Sequence, residues 1–122
     1  PSGASGPGPL LPGSSYSFTF DAEEGDYLSF ATMLVHTNDL FYSPSEMGIA
    51  LFSGGIAISG DITSKVMLSD AGTEINEIPG VGIHHPARLN GGMDENGNVR
   101  VVDDMYTYPA VSDAVKITIT PM

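Results

Sequence analysis

Tyr16-Ser17-Phe18-Thr19-Phe20-Asp21-Ala22-Glu23-Glu24-Gly25-Asp26-Tyr27-Leu28-Ser29-Phe30-Ala31-Thr32-Met33-Leu34-Val35 reads as strand, turn, strand. Aromatic and hydroxyl residues alternate over 16–20, predicting a half-buried strand with Tyr16, Phe18 and Phe20 inward. The acidic, glycine-containing 21–26 is the turn. Residues 27–35 are apolar on both faces apart from Ser29 and Thr32, which predicts a central strand. Working outward, 48–52 predicts a short buried strand ended by Ser53-Gly54-Gly55, and 56–58 continues it as a hairpin. Further strands are predicted at 65–68, 99–102 and 115–120, the last with Val115, Ile117 and Ile119 inward. Residues 38–47, punctuated by Ser43-Pro44-Ser45, predict a loop. No stretch of ten residues has a helical period, and short strands between Gly, Pro, Asn and Asp turns predict an all-β sandwich. Residues 1–15, rich in Gly, Pro and Ser, read as a linker or arm, with the folded domain at 16–122.

Composition removes several classes of function. The 122 residues suffice for one domain with a real core. Fifteen acids against four bases give a net charge of −11, which repels nucleic acid and anionic membranes. Neither is expected as a partner. No apolar run reaches the roughly eighteen residues that span a bilayer, so no membrane insertion is expected. There is no cysteine, hence neither a disulfide framework nor a thiol nucleophile. The balance suits cation binding, high-salt solubility, or both.

The acids concentrate where chemistry is expected. In Ser69-Asp70-Ala71-Gly72-Thr73-Glu74-Ile75-Asn76-Glu77, two carboxylates four residues apart flank a glycine that lets the chain fold back. Thr37-Asn38-Asp39 ends a long apolar run, where a strand hands over to a loop. Hard divalent cations take six to eight oxygens from carboxylates, carbonyls and water. Asp39, Asp70 and Glu74 on two loops are a candidate calcium site, because like charges held close together repel without a cation between them. Solvated loop acids are the alternative. The irregular stretch 70–98, with glycines at 72, 80, 82, 91, 92 and 97, is long for a compact domain, and such loops are commonly functional or metal-organised.

At Phe30-Ala31-Thr32-Met33-Leu34-Val35, Thr37-Asn38-Asp39 and Asp70-Ala71-Gly72-Thr73-Glu74 the chain resembles the spondin N-terminal domain family, found in animal F-spondin and in secreted bacterial proteins. Phe41-Tyr42, Gly48-Ile49-Ala50-Leu51-Phe52, Ser59-Gly60-Asp61, Asn76-Glu77 with Pro79-Gly80, and the closing 115–121 segment extend the resemblance over residues 14–122. It implies a C2-like antiparallel β-sandwich holding calcium at one end, with Asp39, Asp70 and Glu74 as ligands. Family members often carry Trp at the positions of Leu40 and Ser69, and the animal proteins have Asp at that of Glu74. The extra methylene of Glu74 extends the carboxylate's reach and suits bidentate binding. The family domain usually has strands before the segment seen here, so the resemblance implies completion by a complementing N-terminal segment or a second copy of the chain.

Rival signals are weaker. Asp94-Glu95-Asn96-Gly97-Asn98 suggests an EF-hand loop, but its glycine falls at the fourth place and Met105 stands where the bidentate Glu belongs. Asn96-Gly97 reads better as a hairpin turn. His84-His85, with His36, lacks the further ligands of a closed zinc site, and the three are expected as exposed loop histidines, a second metal near His36 and Asp39 staying open. No nucleophile elbow or phosphate loop is present. A hydrolase drawing its carboxylates from Asp39 and Glu74 is the enzymatic alternative, disfavoured because no Trp is available to stack a sugar. The expectation is a non-enzymatic, secreted, extracellular or periplasmic, calcium-binding module. Its role would be structural, adhesive or matrix-interacting, with a protein or matrix partner.

Overall fold

A computed structural model describes residues 5–6, 8–85 and 91–122. Its elements are β1 (Tyr27–Leu28), β2 (Thr32–Met33), β3 (Leu40–Pro44), β4 (Ile49–Ala50), β5 (Phe52–Ser53), β6 (Ile56–Ala57), β7 (Gly60–Asp61), a 3₁₀ turn (Thr63–Lys65), β8 (Val66–Asp70), β9 (Arg100–Val101), α1 (Val111–Ala114) and β10 (Thr118–Ile119). The fold is all-β, with every strand pair antiparallel. The largest sheet runs β2-β3-β8-β9, and β1–β4, β5–β6 and β7–β10 form two-stranded sheets.

The β3–β8 pair is the spine, and its register is Leu40↔Asp70, Phe41↔Ser69, Tyr42↔Leu68, Ser43↔Met67 and Pro44↔Val66. Side chains alternate between faces along a strand, so Leu40, Tyr42, Leu68 and Val66 share one face. These four form the buried cluster, and Phe30, Leu34, Val102, Tyr108, Val111, Val115 and Ile117 pack against it. Leu40 is only 1% exposed. Asp70 lies at the end of this same face and is buried equally deeply. The register therefore puts a carboxylate at the rim of the hydrocarbon core.

Several expectations held. Residues 66–68 are strand, extended to Asp70, and β5 and β6 form the expected hairpin around Gly54 and Gly55, both at positive φ. Val115, Ile117 and Ile119 are half-buried while their neighbours are exposed. Four expectations did not hold. Residues 40–44, expected as loop, form the central strand β3. Pro44 can sit there because it closes the strand, where a missing N–H matters least, and the buried alternation Leu40/Tyr42/Pro44 outweighs the turn signal. The single strand expected over 27–35 is two short ones: β1 pairs with β4 and β2 with β3, making β2 an edge. Residues 16–20 form no strand, and Tyr16, Phe18 and Phe20 are 50%, 77% and 43% exposed. Asn96-Gly97 is not a hairpin turn: neither residue has positive φ, and β9 pairs with β8. Instead Gly97 N–H donates to the Gly72 carbonyl at 2.9 Å.

Tyr42 separates packing from hydrogen bonding in this core. Its hydroxyl is buried with no hydrogen-bond partner among the described residues, and burial raises its pKa. An unsatisfied buried hydroxyl destabilises by roughly 1–3 kcal/mol. Tyr42→Phe is therefore expected to unfold in urea at the wild-type midpoint or above it. Leu40→Ala is expected to lose about 2–5 kcal/mol through transfer and cavity terms. A Tyr42→Phe variant clearly less stable than wild type would contradict the assignment.

Candidate functional site

The β3–β8 register brings the two acidic segments together. Asp39 immediately precedes β3 and Asp70 ends β8, so both stand at one end of the four-stranded sheet. The Ala71 N–H reaches the Asp39 carbonyl at 3.3 Å, continuing the ladder by one step. Beyond it the chain reverses at Gly72, whose φ is +69°. A Cβ at Gly72 would come within 2.8 to 2.9 Å of Asn98 and Gly97 backbone atoms. Only glycine fits there without displacing backbone, which explains the Asp-Ala-Gly-Thr order physically.

Asp39 closes this loop. Its Oδ2 accepts from Thr73 N–H at 2.7 Å, Thr73 Oγ1–H at 2.8 Å and Glu74 N–H at 2.9 Å. Its Oδ1 is buried and has no hydrogen-bond partner among the described residues. Asp70 is held differently. Its Oδ1 accepts from the Gly72 N–H at 2.7 Å, and its Oδ2 accepts from Asn76 Nδ2 at 2.9 Å and Arg100 Nη2 at 2.8 Å. Arg100 lies directly opposite Asp70 in the β8–β9 pairing, so the ion pair is cross-strand and set by register. The same Nη2 also donates to Glu95 Oε1 at 3.0 Å. Hydrogen bonding to Glu95, followed by the charges of Asp70, Glu95 and Asp39, raises the guanidinium pKa. Asn76 carries the network onward to Asp104 Oδ2 at 3.1 Å, which also accepts from Tyr108 Oη at 2.7 Å. Burial first, then this bond, raises the Tyr108 pKa.

Of the three expected ligands, Asp39 and Asp70 stand at one sheet end, placed there by the β3–β8 register. The Glu74 carboxylate turns elsewhere. Its Oε2 lies 3.4 Å from Asn38 Nδ2, against Gly92, where a Cβ would approach within 2.7 Å. Among the described residues no three His, Cys, Asp or Glu side chains are gathered closely enough to cage a metal by themselves. The Asp39 and Asp70 carboxylates accept from backbone N–H groups, a threonine, an asparagine and an arginine. The orphan Asp39 Oδ1 remains, and an anionic oxygen without a donor fits a hard cation.

The histidines depart from expectation in part. His36 is exposed, but His85 is buried, with the two rings 5.4 Å apart. His84 is half-buried and lies 2.7 Å from Glu77 Oε1 through Nδ1, while its N–H donates to Glu77 Oε2 at 3.0 Å. These bonds lower the Glu77 pKa. Sequence reasoning missed Arg100, Asn76, Thr73 and Asp104. One signal pointed to Arg100: it is one of only four basic residues beside fifteen acids.

No family model, curated protein or solved structure matches this chain.

Hydrogen bonds to a charged group contribute roughly 1.5–3 kcal/mol each. Asp39→Ala removes three, but two of them are exposed to solvent, so the expected cost is on the order of 3 kcal/mol; Asp39→Asn should cost less, because its amide oxygen still accepts from Thr73. Gly72→Ala should be comparably damaging through backbone overlap. Chemical denaturation measures both, and wild-type stability in Asp39→Ala would remove the carboxylate from its loop-closing role.

Proposed function

We propose that this chain is a secreted, calcium-binding β-sandwich module of spondin N-terminal type, with a structural, adhesive or matrix-interacting role rather than a catalytic one. The observation that carries the reading is the buried Asp39 Oδ1, a charged oxygen with no donor among the described residues, at the sheet end that also holds Asp70. Asp39 and Asp70 would hold the ion, and Glu74 would join them by turning from Asn38. Calcium suits this set because all three donors are oxygens and its coordination sphere accepts carbonyls and water. When bound, the ion supplies shared coordination between the two loops and lowers the net charge from −11 to −9. The chain's own contribution is to preposition the loops: Asp39 grips 73–74 and Gly72 makes the reversal.

Binding to the folded state alone stabilises by RT ln(1 + [L]/Kd), about 2.7 kcal/mol at a hundredfold excess over Kd. Adding calcium to chelator-treated protein is expected to raise the melting temperature. Asp70→Asn should blunt the rise, while the remote Asp113→Asn should not. An unchanged melting temperature would overturn the reading. It would favour a second one, a metal-independent interaction module, which is supported by the donors that already satisfy Asp70 and Asp39 Oδ2.

The partner in this reading is a protein or matrix component that supplies or receives a strand. Two features support it: the unpaired alternating segment 16–20, and the edge strand β2, where Thr32 and Met33 are exposed. Exposed edges pair with available strands. A second copy of the chain or a separate segment would complete the sheet. Light scattering after size exclusion is expected to show a species larger than 12.7 kDa or a co-purifying peptide, and a clean monomer at micromolar concentration would refute it.

A further inference from the structure

Asn96-Gly97 makes no hairpin turn in this fold, yet the pair carries a chemistry of its own. An asparagine side chain is open to attack by the backbone nitrogen that follows it, and a following glycine has no Cβ to hinder the approach. Two asparagines precede glycine, Asn90 and Asn96; Asn90 lies outside the described residues, and Asn96 is exposed to water. The nucleophile of that reaction is the Gly97 nitrogen, whose N–H donates to the Gly72 carbonyl at 2.9 Å. Two further backbone bonds lace the same segments together around the Glu74↔Asp94 bridge. Ile75 N–H donates to the Met93 carbonyl and Glu95 N–H to the Thr73 carbonyl, each at 2.8 Å. We propose that Asn96 is a spontaneous deamidation site that this lacing holds shut, and that its conversion to isoaspartate releases residues 93–97 irreversibly. The proposal goes beyond the calcium reading and does not rest on it.

In the reaction the Gly97 nitrogen bonds to Asn96 Cγ while the Cγ–Nδ2 bond breaks. The Gly97 proton leaves with Nδ2 as ammonia, and a five-membered imide remains. Water then opens the ring at either carbonyl to give aspartate or isoaspartate, so no oxidant or second substrate is required. The nitrogen must shed its proton and turn toward Cγ, and neither is open to it while the Gly72 carbonyl holds the N–H. Reaction therefore requires local opening of the laced segments. The lacing is itself secured from 73–74, which Asp39 Oδ2 grips through Thr73 and Glu74. Asn98 is also exposed, but Val99 follows it, and a β-branched side chain crowds the attacking nitrogen. Conversion of Asn96 adds a carboxylate next to Glu95, which already pairs with Arg100 at 3.0 Å. Isoaspartate also inserts an extra methylene into the backbone beside the Gly72–Gly97 bond, so the three bonds can no longer form in register.

Peptide mapping by mass spectrometry tests this on the full chain, incubated at mildly alkaline pH with and without denaturing urea. Chelator is present throughout, so the outcome is separate from that of the calcium reading. In urea, Asn96 is expected to convert while Asn98 does not. In the folded chain conversion at Asn96 is expected to be slower by about tenfold or more, an opening free energy of at least about 1.4 kcal/mol. Asp39→Ala, which frees 73–74, should speed conversion in the folded chain toward the urea rate. If Asp39→Ala fails to fold, Thr73→Val, which removes only the exposed Oγ1 donor, should speed it by a smaller factor. The isoaspartyl form, separated by chromatography, is expected to exchange its 93–97 amide hydrogens faster than the unmodified chain. Equal rates with and without urea, or no conversion of Asn96 in urea, would overturn the proposal. So would wild-type rates in the folded variants. Unchanged amide exchange in the isoaspartyl form would overturn the irreversible release.

Discussion

The pairing of β3 with β8 sets the geometry of everything around it. Its register places Leu40 opposite Asp70, so a single row of the ladder is half hydrocarbon core and half acid. Because side chains alternate with a period of two, a one-residue slip of β8 would turn Val66 and Leu68 away from the core. The same slip would separate Asp70 from Arg100 and Asp39 from the amides of 73–74. The carboxylate geometry is therefore enforced by apolar packing several residues away. Burial of four core side chains holds a charged site in place, and no loop residue could do so unaided.

The acidic end shows how a chain with fifteen acids and four bases arranges its carboxylates. Ion pairs cannot serve them all, so the fold recruits backbone N–H groups, a threonine hydroxyl and an asparagine amide. Asp39 bridges 34 and 35 residues to reach Thr73 and Glu74, turning a long-range contact into a loop closure. Asp70, the most deeply buried acid, receives the arginine. That allocation follows the cost of burial, since an unpaired charge is most expensive where water is most excluded.

Away from this end the fold is lightly built. Eight of the ten strands among the described residues are two residues long, and the irregular segment after β8 is held by scattered contacts rather than by a ladder. These include the Glu74↔Asp94 bridge, the Gly97–Gly72 hydrogen bond and the Glu77–His84 pair. Segments held without a continuous ladder open locally at lower cost than core strands do. The Asp39 grip on 73–74 therefore matters beyond its own energy: it anchors the start of the irregular segment to the longest pair of strands.

How much of this was legible in the residues depends on the range of the interaction. The all-β class, the Gly54-Gly55 hairpin and the half-buried alternation of 115–119 follow from local periodicity, turn chemistry and residue type. The strand at 40–44 was hidden by a proline whose harmlessness depends on its place at the strand's end. The exposure of 16–20 was hidden because alternation shows that a segment can pair, not that an edge is there to receive it. The Glu74 side chain points to Asn38, and Arg100 to Asp70, for the same reason. Sequence by itself determined which residues carry charge, which turn, and which must be buried. Tertiary structure alone decided which acid met which donor, because partners 30 or more residues apart are chosen by strand register, and register is a property of the packed sheet.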